Sequence, residues 1–357
     1  MMSKFLIFLI ALIFGCAQKT EIPKELPAEF VSMLKRATTN EGIFKLINAI
    51  PLAPHDTIYV GNITYLDVTK DGRLVILDRA NHTPLVFDST GKFLNRIGKH
   101  GAGPGEFERA SAVCYDDSNQ IWYVADNSLL RISIFKNTGE YLRDFKIAAK
   151  IHEMRISKAG ELYLFMPNRR DGEMIECVSS TGKRIASFFS PDIIQKIPFG
   201  IFGGGFCFTR PGVVTAHFVS SEVKYFDYRG KLKFKVDLIS LKNYSPPPDT
   251  RNIQSPADFM NSFTGIAEIL RGPFEVILVQ YHRRAATNKS GQGATGKPTT
   301  YLAFLTRDGK VLASGIEIST GYFASDDRGD LYSVEYPEAP TNQHGNPVIN
   351  KWTLKSF

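Results

Sequence analysis

Cysteine is scarce in this chain, at four in 357 residues, and no two form a Cys-x-x-Cys pair. That excludes a disulfide scaffold and any zinc or dithiol centre legible from spacing. Cys114, Cys177 and Cys207 are expected as buried thiols acting as small hydrophobes. No apolar run exceeds the ten residues from Phe5 to Phe14. Ten residues are too few to cross a ~30 Å hydrocarbon core as a helix, but they suit the apolar region of an export signal. Gly-x-Ser-x-Gly, His-Glu-x-x-His and EF-hand loops are missing, and the carboxylates form no recognisable pair. Basic residues outnumber acidic ones, 43 to 36, for a formal charge of +7. They are scattered rather than clustered, which excludes a nucleic-acid footprint. An acidic partner such as an anionic glycan, a lipid head group or an acidic protein face remains compatible with that charge.

Paired glycine turns bracketed by short β-type runs are what the chain does have. Two copies superpose at an offset of 48 residues, placing Asp78 on Asp126, Phe87 on Phe135 and Gly91 on Gly139. A period of about 40–50 residues made only of strand signals predicts an all-β, six-bladed β-propeller of four-stranded antiparallel blades. The blades are expected at 61–97, 109–147, 150–189, 200–238, 262–318 and 319–357. The sixth stops after about three strands, so residues 43–47 are expected to supply its missing outer strand and close the ring. Two insertions, 240–261 and 283–298, interrupt the pattern.

The start of the chain divides into a signal, residues 1–15, and a tether, residues 16–40, with a short helix over Ala28 to Arg36; the propeller occupies 41–357. Ile13-Phe14-Gly15-Cys16 resembles the lipobox of bacterial lipoproteins, which implies cleavage before Cys16 and its lipidation. Further on, Gly98-Lys99-His100-Gly101-Ala102-Gly103-Pro104-Gly105-Glu106-Phe107 is similar to the blade-linking signature of NHL-repeat propellers. Taken whole, the chain resembles the six-bladed β-propeller lipoproteins of Bacteroidota envelopes. The resemblance implies a lipid-anchored binding platform on the periplasmic or outer-membrane side, and no single activity. The glycine-rich stretch lacks the Lys-Ser/Thr of a phosphate loop and is read as a blade linker.

Equivalent positions in a propeller form rings. With the second-turn glycines as anchors, Asp78 and Asp126 align with Arg169 and His217. Tyr281 or His282 takes the place in the fifth blade, and Glu335 or Tyr336 in the sixth. Asp78, Asp126, Arg169, His217, His282 and Arg283 are therefore the candidate ligand mouth, at the ends of the second strands. The alternative for the two aspartates is hydrogen bonding to local turn amides. Linkers and loops on that face add basic residues, among them Arg79, His82, Lys99, His100, Arg170 and Arg284, which points to an anionic small molecule or glycan, or an envelope protein with an acidic loop. His152, His217 and His282 are candidates for a zinc site of the kind propeller amidating lyases use. The leading reading is a binding module without cofactor or catalysis. A metal-dependent lyase or hydrolase in the central mouth is the alternative, and a structural envelope subunit a third.

Overall fold

The computed structural model of the chain describes residues 25–53, 58–169, 172–191, 200–201, 203–249, 255–283, 298–336 and 346–357, the side chains of residues 257 and 258 excepted. The signal, Cys16 and residues 284–297 of the second insertion lie outside the described residues. Six four-stranded antiparallel sheets make a six-bladed propeller. Blades one to five each use four consecutive strands, starting at Ile63, Ala110, Glu153, Gly204 and Thr264. First strands of neighbouring blades pack against one another, so they surround the central axis.

Blade six holds Tyr322–Ser325, Leu331–Glu335 and Val348–Leu354, and its outer strand is Phe44–Pro51 from the start of the domain. Phe44 pairs with Leu354 and Pro51 with Val348. The expected closure is therefore present and longer than the five residues foreseen.

The repeated second-turn glycines have a physical reason beyond the turn. Gly91, Gly139, Gly182, Gly230 and Gly309 all adopt φ between 82° and 88°, a region only glycine enters freely. Four of them also press on the outer strand of the preceding blade. A Cβ would meet Phe145 at Gly182, Phe188 at Gly230, Phe234 at Gly309 and the Pro51 carbonyl at Gly91. The last contact shows that Phe44–Pro51 takes the place of a true outer strand.

One part of the reading needs correction. The helix Ala28–Arg36 forms at the expected bounds, but it is not part of a loose tether. Phe30, Met33 and Leu34 lie at helical spacing on one face and are buried in the cluster that joins blades five and six. Glu317 N–H donates to the Thr38 carbonyl at 2.9 Å, fastening the segment after the helix to blade five. Any free tether is confined to residues before this helix. Cys114, Cys177 and Cys207 are all buried free thiols.

Candidate functional site

A cavity of about 510 Å³ opens around the axis, walled by the ends of the first strands and by the first turns of all six blades. Every first strand runs toward this face, and every second strand runs away from it. The cavity is thus at the opposite end of the propeller from the mouth expected at the second-strand ends. Residues of the cavity wall include Asp67 and Lys70 of blade one, Cys114 and Asp117 of blade two, and Arg155, Lys158 and Glu161 of blade three. Arg210 and Arg229 come from blade four, Arg271 and Glu275 from blade five, and Asp326 and Asp327 from blade six.

Several of these charges have structural partners. Arg229 pairs with Glu161 at 2.9 Å, and Lys351 with Asp326 at 3.2 Å. Asp116 accepts from the Ser118 and Asn119 amides and so shapes its own turn. Blade five's turn is strained: Phe274 and Glu275 both have left-handed φ, 56° and 59°. Glu275 is held beside Arg210, and its Oε2 has no hydrogen bond.

Arg155 reaches the axis from the first strand of blade three. Its Nε donates to Glu153 Oε1 at 2.5 Å and to the Phe206 carbonyl at 3.1 Å. Glu153 Oε2 accepts the Phe206 amide at 3.0 Å. Blades three and four are thereby joined across the channel wall. The two terminal amines of Arg155 have no hydrogen-bond partner among the described residues, and the side chain is 21% exposed.

Two carboxyls beside it are strongly perturbed. Burial lifts Asp67 to about 6, against the pull of the Arg155 guanidinium and the Val68 amide. Burial, and then the charge of Glu153, push Glu268 well above the carboxylate range. Gly205 leaves the room for this pair. A Cβ there would stand 2.9 Å from Glu153 Oε2 and 3.1 Å from Glu268 Oε2.

None of the residues predicted for the mouth lines this cavity. Asp78 accepts the amides of Gly61, Ala80 and Asn81 at 2.9, 3.1 and 2.6 Å. Asp126 does the same for Arg109, Ser128 and Leu129, at 3.0, 2.7 and 2.9 Å. Each carboxylate thus ties the incoming linker to its blade, as the alternative reading held. Arg169 is paired with Glu176 at 2.5 Å. His217 is fully buried, with Nε2 at 3.0 Å from the Pro167 carbonyl, and burial pushes it down to about 4. Half-buried His282 packs its ring 5.4 Å from Phe218, and Arg283 is exposed. Tyr281 is core; Glu335 accepts from Asn350 at 2.7 Å, and the Tyr336 hydroxyl accepts the Ile63 amide. Burial also lowers His152. Among the described residues no three His, Cys, Asp or Glu side chains are placed to hold a metal, so His152, His217 and His282 do not converge on one. Arg170 and Arg284 lie outside the described residues.

The glycine-rich segment folds as a compact connector. Arg131 Nη2 donates to the carbonyls of Gly103 and Glu106 at 2.5 and 2.8 Å, and Glu106 accepts the Gly103 amide at 2.8 Å.

Sequence reasoning missed Asp67, Arg155 and Glu268. A signal existed: each is an ionisable residue within a first strand, and first strands line a propeller's axis.

A family profile described as "Domain of unknown function (DUF4934)" matches residues 31–245. No curated protein matches the chain. Among solved structures, a "putative exported protein" of Bacteroides fragilis is similar at 14% identity and a TM-score of 0.63, over 89% of this chain and 97% of its own. A member of the DUF4221 family from Bacteroides vulgatus is similar at 16% identity and a TM-score of 0.62, over 88% and 99%. Hydrazine synthase of Kuenenia stuttgartiensis is similar at 15% identity and a TM-score of 0.52, over 79% and 76%. At these identities the likeness is one of fold.

Proposed function

This chain belongs to the DUF4934 family of domains of unknown function, and we propose that it is a non-catalytic binding module whose axial cavity takes a small anionic ligand. Arg155 is the observation that carries the reading. Among the described residues its terminal amines make no hydrogen bond, and a guanidinium fork on the cavity wall is suited to carboxylate, phosphate or an acidic saccharide. Arg271 and Lys158 add cations on the same wall. The formal charge of +7 draws anions toward the protein from a distance. The anionic ligand expected from sequence is kept, and its place moves from the second-strand mouth, where the carboxylates serve their own loops, to the first-turn end. An acidic loop of an envelope protein offers the same chemistry and is the larger-partner form of this reading.

The same proposal has the chain exported and held at the cell envelope by lipid on Cys16. The Ile13–Cys16 pattern supports the anchor, and likeness to a "putative exported protein" of Bacteroides fragilis is in keeping with export. Labelled fatty acid should enter the wild-type protein and not Cys16→Ser; equal labelling would refute the anchor.

A thermal-shift screen of the full chain against carboxylates, phosphates and acidic saccharides tests the ligand. Hits should weaken at high salt. They should lose at least about tenfold in affinity in Arg155→Lys, which keeps the charge but not the fork. Hits unaffected by Arg155→Lys but lost in Arg283→Ala would place the site at the other mouth and overturn the proposal.

A further inference from the structure

We infer that the ligand is a zwitterion of the α-amino-acid kind, its anionic group on Arg155 and its ammonium group on Asp67; the inference rests on the axial-cavity reading above. Asp67 and Arg155 come from the first strands of blades one and three and line the same cavity, with Cys114 of blade two also on that wall. Their charges are opposite, yet they form no salt bridge with each other among the described residues. Asp67 accepts one hydrogen bond, from the Val68 amide at 2.9 Å. Among the described residues Arg155 makes its hydrogen bonds through Nε alone, and its guanidinium lies 5.9 Å over the Phe206 ring.

The fold holds the backbones of both residues in place. Asp67 is fixed opposite Val75 in one sheet, and Arg155 opposite Tyr163 in another. Neither strand can shift to close the pair without breaking its ladder. Inside a protein the attraction between such charges is stronger than in water, so an open pair is an unmet interaction. A simple anion would satisfy Arg155 but face the carboxylate of Asp67. A simple cation would satisfy Asp67 but face the guanidinium. A ligand carrying the inverse pair satisfies both, and an α-amino acid holds its two charges one carbon apart.

The remaining walls suit a side chain or a neighbouring residue. A cavity of about 510 Å³ is larger than the two charged groups need. Val68, Tyr115, Ile156 and Phe208 give it apolar surface. On the same wall the Glu275 side chain, only 6% exposed, is held by Arg210 at 3.4 Å and Arg307 at 3.9 Å.

Calorimetric titration of the full chain with the common amino acids is the test. The tightest binder is then compared with its N-acetyl derivative, which is only an anion, and its amide, which is only a cation. The zwitterion should bind at least about tenfold more tightly than either, because each blocked form loses one of the two charge-assisted contacts. Asp67→Asn should weaken the zwitterion by at least about tenfold and leave the N-acetyl derivative unchanged or tighter. An N-acetyl derivative that binds as well as its parent would overturn this inference while leaving the anion site intact. Failure of all amino acids while other anions bind in an Arg155-dependent way would do the same. If no anion binds through Arg155, both readings fall.

Discussion

Asp67→Asn should make the protein more stable, and only at neutral to alkaline pH. Folding encloses a carboxyl that accepts a single amide hydrogen bond, and lifts it from 3.8 to about 6. A folded value above the unfolded one means that the native state holds the proton more tightly. The stability linked to Asp67 is therefore full below about pH 3.8 and is lost as the pH rises through about 6. The two-unit difference amounts to about 2–3 kcal/mol of destabilisation once the group is ionised. Asparagine resembles the neutral acid and keeps an oxygen for the Val68 amide. The variant should thus gain about 2–3 kcal/mol at pH 8 and under about 1 kcal/mol at pH 4. Urea unfolding of both proteins at the two pH values measures this, with the midpoint shift read at constant slope. His217 titrates in the opposite sense, but it is present in both proteins and drops out of the difference. An equal gain at both pH values, or a loss at pH 8, would refute the reasoning. If the gain appears together with loss of ligand, Asp67 is a residue kept for binding at the expense of stability.

Other consequences of the fold can be checked in the same way. Phe44→Ala should cost about 3–5 kcal/mol, because Phe44 is 1% exposed in the ring-closing strand, whereas Leu46→Ala on the exposed side of that strand should stay within about 0.5 kcal/mol; equal effects in chemical denaturation would argue against the closure. Gly329→Ala should cost about 2 kcal/mol or more, since φ is 83° and a Cβ would lie 2.4 Å from Pro273 N in the neighbouring first turn; a neutral melting curve would count against that packing. His217, depressed from 6.5 to about 4 by burial, contributes stability that is full above about pH 6.5 and lost as the pH falls through about 4. Replacing it with Gln should shrink the stability lost between pH 7 and pH 4 by about 3 kcal/mol, and an unchanged loss would mean that the imidazole is not buried neutral.

The blade count, the blade limits and the closing strand were legible because glycine does two things at the second turns. It supplies the left-handed φ, and at Gly91, Gly182, Gly230 and Gly309 it also admits the outer strand of the preceding blade. The same glycines say nothing about the first-strand ends. They align the second-strand ends, where Asp78 and Asp126 are indeed equivalent but are consumed by loop amides. Asp67, Arg155 and Glu268 carry no spacing of their own. They come from three blades and lie near the axis only because first strands surround it. The docked helix was readable in principle, since Phe30, Met33 and Leu34 recur at helical spacing, but the prolines and charges around them suggested a tether.

A structure of the protein with its tightest small-molecule binder tests the central claim most directly. Ligand density in the axial cavity at the first-turn end, with an acidic group on the terminal amines of Arg155, is the predicted result. Density at the opposite mouth, near Asp78, Asp126 and Arg283, with the axial cavity holding only water, would contradict it.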